Sequence, residues 1–141
     1  MNTINRYDLA YMDMTCRWAE LSYATRLKVG TLIVKDTMVI SDGFNGMPTG
    51  MSNTCEDEND VTNWEVLHAE ANAILKLAKY GSGGCKDATL YTSHSPCKEC
   101  SKLIHQSGIK RVFYKNEYKD TDGIEFLQNM GVEVIHIKYP S

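Results

Sequence analysis

Two short segments, His68-Ala69-Glu70 and Pro96-Cys97-Lys98-Glu99-Cys100, constrain this chain most, because together they supply three zinc ligands and a carboxylate beside them. Zinc held by imidazole and thiolate is tetrahedral, so one His and two Cys leave the fourth position open for a water whose pKa the metal lowers towards neutrality. The pattern therefore reads as a hydrolytic site. Ser95 is a good N-cap and Pro96 suits the first helical position, which predicts Cys97 and Cys100 in the first turn of a helix running to Gly108. Residues three apart share a face there, and the positive end of the helix dipole favours thiolate over thiol. His68 opens a second helical pattern to Lys79, with Ala71, Ile74, Leu75 and Ala78 as its apolar stripe. Glu70 then sits beside the metal without ligating it.

Each half alone has a plainer reading. Cys-x-x-Cys also serves as a redox dithiol or as half of a structural zinc clip, and His-x-Glu occurs by chance in many helices. Their combination, in order and with helix signals at both places, favours a catalytic site. A structural zinc would need a fourth ligand, and Cys85 and His94, the candidates, lack diagnostic spacing.

With 141 residues and 43% hydrophobic content, residues 1–141 read as one domain with a proper core. A net charge of −3 and a pI near 5.8 argue against a broad basic surface for polynucleotide, so a small substrate is expected and no nucleic acid. Two of the five cysteines are assigned to the metal. The others, Cys16, Cys55 and Cys85, form no paired framework, which suits a reducing compartment. Met1 to Ala10 lacks the apolar core of a signal peptide and no run reaches membrane-spanning length; the expected location is the cytoplasm, a host's for a viral chain. Ser52 to Asn63 reads as a long loop.

Leu9, Met12, Cys16, Ala19 and Tyr23 share one helical face and predict a first helix over Asn5–Ser22. Val29–Lys35 and Met38–Phe44, separated by Asp36-Thr37, predict a hairpin. After the His68 helix come a strand at Thr89–Thr92, the Cys97 helix, a strand at Arg111–Tyr114, a helix at Asp122–Met130 ended by Gly131, and a strand at Val132–Ile137. Alternating strands and helices imply crossovers and a mostly parallel second half. The expected fold is a three-layer α/β/α sandwich around a mixed five-stranded sheet.

Nearly the whole chain resembles the deoxycytidylate (dCMP) deaminases of phage or bacterial type, within the zinc-dependent cytidine deaminase superfamily. The metal motif is the known signature of zinc deaminases, matched here rather than inferred. The resemblance is carried further by Lys28-Val29-Gly30, Gly43-Phe44-Asn45-Gly46-Met47-Pro48, Asn72-Ala73-Ile74 after the His-Ala-Glu triplet, Ser95 before Pro96-Cys97, and Gln106-Ser107-Gly108-Ile109-Lys110. Phe44 replaces the family's usual tyrosine, keeping a ring and losing a hydroxyl, and Ala71 replaces a common leucine. Some phage members carry a second, structural zinc before the catalytic His. The stretch from Cys55 to Leu67 has no His, so Cys55 is expected to be a packed thiol.

The resemblance implies conversion of dCMP to dUMP and ammonia, with Glu70 moving the protons. It also implies that Asn45 bonds the deoxyribose and that Tyr118 stacks on the base. Ser95 and Lys119 join the substrate-binding set, and Lys119, Thr121 and Ser93 are candidates for the 5′-phosphate. Family members are typically homohexamers, activated by dCTP with magnesium and inhibited by dTTP at a second site. That site maps onto Gly43, Phe44, Asn45, Gly46 and Met47, with Arg26 or Lys28 on the triphosphate. Read alone, Asn45-Gly46 builds a turn, Tyr118 is a loop aromatic, and Arg26 and Lys28 are an exposed strand entrance. Two other functions stay open: a deaminase of cytidine, guanine or tRNA adenosine, and a zinc-stabilised nucleotide-sensing module without turnover.

Overall fold

A computed structural model describes residues 4–81 and 83–139; Met1, Asn2 and Thr3, part of the stretch read above for a targeting signal, lie outside it. The elements follow the predicted order: α1 (Arg6–Ala19), β1 (Gly30–Lys35), β2 (Met38–Phe44), α2 (Ala69–Tyr80), β3 (Thr89–His94), α3 (Lys98–Gln106), β4 (Arg111–Asn116), α4 (Asp122–Asn129) and β5 (Glu133–His136). The five strands form one sheet in the order β2-β1-β3-β4-β5. β1 runs antiparallel to β2 and to β3, whereas β3, β4 and β5 are mutually parallel. Among the described residues no helix is long and apolar enough to cross a membrane.

Strand alternation divides the core in two. Leu32, Val34, Tyr91, Phe113 and Ile135 point to one side, where Met12 of α1 covers them. Ile33, Leu90 and Val112 point to the other, under Ala73 and Leu77 of α2, Ile104 of α3 and Leu127 of α4. These are the expected three layers. The hairpin turns at Asp36 and Thr37, both at positive φ (52° and 63°) as a two-residue turn of matching twist requires. Its register slips beside Ile33 and Val34, where Ile40 is the extra residue of β2.

Two predicted helix faces are rotated. α1 buries Asp8, Met12, Thr15 and Ala19, while Leu9 and Tyr23 are exposed. Asp8 is buried because it completes a capping box with Asn5 and accepts the Tyr91 hydroxyl at 2.6 Å. α2 buries Ala69, Glu70, Ala71, Ala73 and Leu77 and leaves Leu75 and Ala78 exposed. β3 and β4 each extend beyond the predicted end, because His94 pairs with Asn116 and the Asn116 amide donates to the Ser93 carbonyl oxygen. This extension builds the edge of the sheet where the site lies. The start of β1, the ends of β2, β3 and β4, and the N-termini of α2 and α3 meet there.

Candidate active site

His68 and Cys97 both occupy N-cap positions with extended backbone, His68 at φ −72°, ψ 155° and Cys97 at φ −74°, ψ 173°. Neither side chain caps its own helix, which leaves both free for a metal. The predicted start of α3 is therefore corrected. Pro96 precedes the cap, Cys97 is the cap, and Cys100 lies in the first turn. Ser95 does not cap because its groups are engaged elsewhere: its N–H donates to the Asn116 carbonyl oxygen (2.8 Å) and its hydroxyl accepts the Tyr118 N–H (2.9 Å).

The donor atoms of His68, Cys97 and Cys100 lie within 4.8 Å of one another, the group of this kind found among the described residues. Nδ1 of His68 is 3.2 Å from Sγ of Cys100 and 3.5 Å from Sγ of Cys97. Tetrahedral zinc, with bonds of about 2.3 Å to sulfur and about 2.0 Å to nitrogen, sets N···S edges of about 3.5 Å. The three residues fit zinc. Cys85, in the hydrophobic core, and His94 stand outside the group, so among the described residues no fourth protein ligand closes it.

The electrostatics prepare the donors. A hydrogen bond from the Cys100 thiol, then one from His68, lowers the Cys97 pKa to about 3. The bond to Cys97, with burial, raises that of Cys100, and the bond to Cys97 raises that of His68. The pair thus holds one thiolate readily, and a divalent cation favours the second. Glu70, in the first turn of α2, is 4% exposed, and burial raises its pKa to about 7 against the opposing charge of His68. A carboxyl balanced near neutrality can take up and release a proton. A bound dication pulls the same carboxyl back towards the ionised form, ready to accept one.

The cavity beside these residues has a volume of about 720 Å³ and is lined by His68, Glu70, Cys97, Asn45, Ser95, Tyr118, Lys119 and Arg26, among others. The structure thus brings together the metal residues, Glu70 and the four expected substrate-binding residues. It also draws in Arg26, which the sequence assigned to a separate effector site. Lys28, Gly43, Phe44, Gly46 and Met47 do not line the cavity, and neither do Ser93 and Thr121. The Ser93 hydroxyl accepts the Gly30 N–H instead.

Asn45 does more than turn the chain. Its Oδ1 accepts the Val29 N–H at 2.9 Å and its Nδ2 donates to the Leu27 carbonyl oxygen at 2.8 Å, which leaves one N–H and one lone pair on the amide. Gly43 lies under the first turn of α2, where a Cβ would come within 2.5 Å of the Ala69 carbonyl oxygen. Gly46 pairs with Leu67 through two backbone bonds, and the Asn72 amide donates to the Phe44 carbonyl oxygen. The loop from Gly43 to Met47 is thereby tied to the helix that follows His68.

Sequence reasoning missed His94 as a cavity residue. Its ring stacks on Tyr118 with centroids 5.5 Å apart, and burial, then Lys115, lowers its pKa. It also missed that the segment 55–66, which overlaps the long loop expected at Ser52 to Asn63, lines the cavity. There Glu56 accepts the Thr25 and Arg26 N–H groups, and buried Cys55 lines the cavity as a packed thiol. A His directly before Ser-Pro-Cys was the available signal for the first; nothing local marks the second.

Residues 5–116 match the family model described as the cytidine and deoxycytidylate deaminase zinc-binding region. The chain is similar to the dCMP deaminase of cyanophage S-TIM5, solved with dCMP and dUMP, at 43% identity and a TM-score of 0.92, covering 96% of this chain and 100% of that one. It is 35% identical over 125 residues to the deoxycytidylate deaminase of Mycobacterium phage D29, covering 79% of this chain and 95% of that one. Similarity to the deoxycytidylate deaminase of Saccharomyces cerevisiae is 34% over 139 residues, covering 91% of this chain but only 44% of the yeast protein.

Proposed function

The chain belongs to the cytidine and deoxycytidylate deaminase zinc-binding family, and from that premise we propose that it hydrolyses dCMP to dUMP and ammonia. The observation that carries this reading is Glu70, a buried carboxylate that ligates nothing, beside three metal donors in a cavity of nucleotide size. The choice of dCMP is supported by the likeness to a relative solved with dCMP and dUMP.

His68, Cys97 and Cys100 would hold zinc, which would supply the Lewis acidity that brings the pKa of water towards neutrality. Glu70 takes the proton of the attacking water and places it on N3 as C4 becomes tetrahedral. It then takes the proton of the new C4 hydroxyl and passes it to the departing amine, so that the C4 carbonyl forms as the C–N bond breaks and ammonia leaves; one carboxylate serves both directions. Tyr118 stacks on the base; burial, then the nearby charges of Glu70 and the cysteines, raises its pKa to about 12 and keeps the phenol neutral. The free N–H of Asn45 is directed to the deoxyribose. Arg26 and Lys119 take the 5′-phosphate, since the ion pairs found among the described residues use neither.

Ser95 acts through Tyr118 in this scheme rather than by touching substrate. Ser95→Ala removes one neutral hydrogen bond and is expected to raise KM for dCMP about threefold to tenfold while kcat and zinc content hold. Steady-state kinetics with zinc analysis checks this, and an equal fall in kcat with unchanged KM would reject the positioning role.

By the family resemblance the protein is a homohexamer whose dCMP saturation is sigmoidal, becomes hyperbolic with dCTP and magnesium, and is suppressed by dTTP. The ties of Phe44 and Gly46 to α2 and Leu67 support a route from that loop to His68. Opposite responses to two triphosphates require that each prefer a different conformation. The decisive experiment measures ammonia release from dCMP, CMP, dCTP, deoxycytidine and adenosine, with and without each triphosphate, on protein sized by light scattering. Preference for another substrate would overturn the dCMP reading. Hyperbolic curves that neither triphosphate changes would mean the loop only braces α2.

A further inference from the structure

We infer that Gly123 is a positioning residue for zinc ligand Cys97, through a contact that has no room for a side chain. Gly123 is the second residue of α4, beyond the part of the chain matched to the family model. A Cβ built there would overlap the Pro96 carbonyl oxygen, lie 2.6 Å from Ser101 Oγ, and lie 2.9 Å from the carbonyl carbon of Cys97. Two of these three atoms are main chain and cannot swing aside. The first turn of α4 therefore rests directly on the backbone that carries Cys97.

Cys97 is the ligand that needs such support. Cys100 lies within α3 and is 2% exposed, so the helix fixes its backbone. His68 follows Leu67, which is paired on both sides with Gly46. Cys97 is a half-buried cap with extended backbone, anchored on the helix side by the Ser101 N–H to its carbonyl oxygen at 2.9 Å. On the other side it is α4 that covers it. Ser101, fully buried with an Oγ that has no hydrogen-bond partner among the described residues, sits in the contact between α3 and α4, 2.6 Å from where a Cβ of Gly123 would be. Displacing α4 thus moves the Cys97 main chain, and with it one corner of the ligand triangle.

The inference rests on the zinc reading of the site, and the experiment separates the two. Zinc-loaded wild-type and Gly123→Ala proteins are mixed with excess chelator, and zinc release is followed with a metal indicator. The variant is expected to lose zinc about tenfold to a hundredfold faster, the usual cost of disturbing the support of a ligand. Alanine is the better helix former, so helix propensity would act in the opposite direction. The rise in Tm from chelated to zinc-loaded protein is measured for both. A merely structural role lowers both forms alike and leaves the rise intact, whereas a positioning role shrinks it. If Gly123→Ala does not fold, Ser101→Thr, which adds a methyl to the same contact from α3, is tested in the same way. A folded variant with wild-type release rate and wild-type rise in Tm overturns the inference. A wild-type protein that binds no zinc overturns the site reading beneath it.

Discussion

Glu70→Gln is expected to leave the protein folded and zinc-loaded while kcat for dCMP falls by at least about a hundredfold, the least that a positioned acid/base group commonly contributes. Glutamine matches glutamate in size, so the packing of α2 against the sheet is undisturbed, and a neutral amide is cheaper to bury than a carboxylate. What it cannot do is accept a proton from water and pass it on. Glu56 and Asp120 also line the cavity, but Glu56 accepts the Thr25 and Arg26 N–H groups and Asp120 accepts the Asp122 N–H, whereas Glu70 faces the charges of His68 and Cys97. Stopped assays on zinc-quantified protein, with circular dichroism as the control for folding, provide the measurement. Near-normal turnover by a zinc-loaded variant would remove Glu70 from the proton path.

The placement of Glu70 beside His68 and Cys97 was legible in the sequence because it depends on local spacing. His68 and Glu70 are two apart and Cys97 and Cys100 three apart, so a helix start fixes each pair without reference to the rest of the chain. The hairpin and the parallel strands were legible for the same reason, through short alternating runs and the turn at Asp36-Thr37. The helix faces were not. Hydrophobicity favours Leu9 and Tyr23 over Asp8 and Thr15, yet Asp8 is buried because Tyr91, far along the chain, meets its carboxylate. Ser95-Pro96 has the chemistry of a helix start, but the β4 extension claims Ser95 first and shifts the cap to Cys97. Arg26 and His94 reach the cavity because the start of β1 and the end of β3 are antiparallel neighbours. Strand order of that kind cannot be read from either segment alone.

Cys97→Ala Cys100→Ala is expected to abolish zinc binding and to lower dCMP turnover by more than about a thousandfold, while wild-type protein carries about one zinc per chain. The metal's share of such a reaction is several kcal/mol of charge stabilisation, and each 1.4 kcal/mol is roughly tenfold in rate. His68 alone cannot retain zinc against a chelator, and no other His, Cys, Asp or Glu joins its group among the described residues. The fold should survive, because the two apolar layers on either side of the sheet include neither cysteine. The convergence of the α2 and α3 N-termini should loosen, since it then lacks the bonds that close it. Elemental analysis alongside circular dichroism decides the assignment. Two zincs per wild-type chain would reveal a further site, and full zinc in the double variant would show that other residues hold the metal.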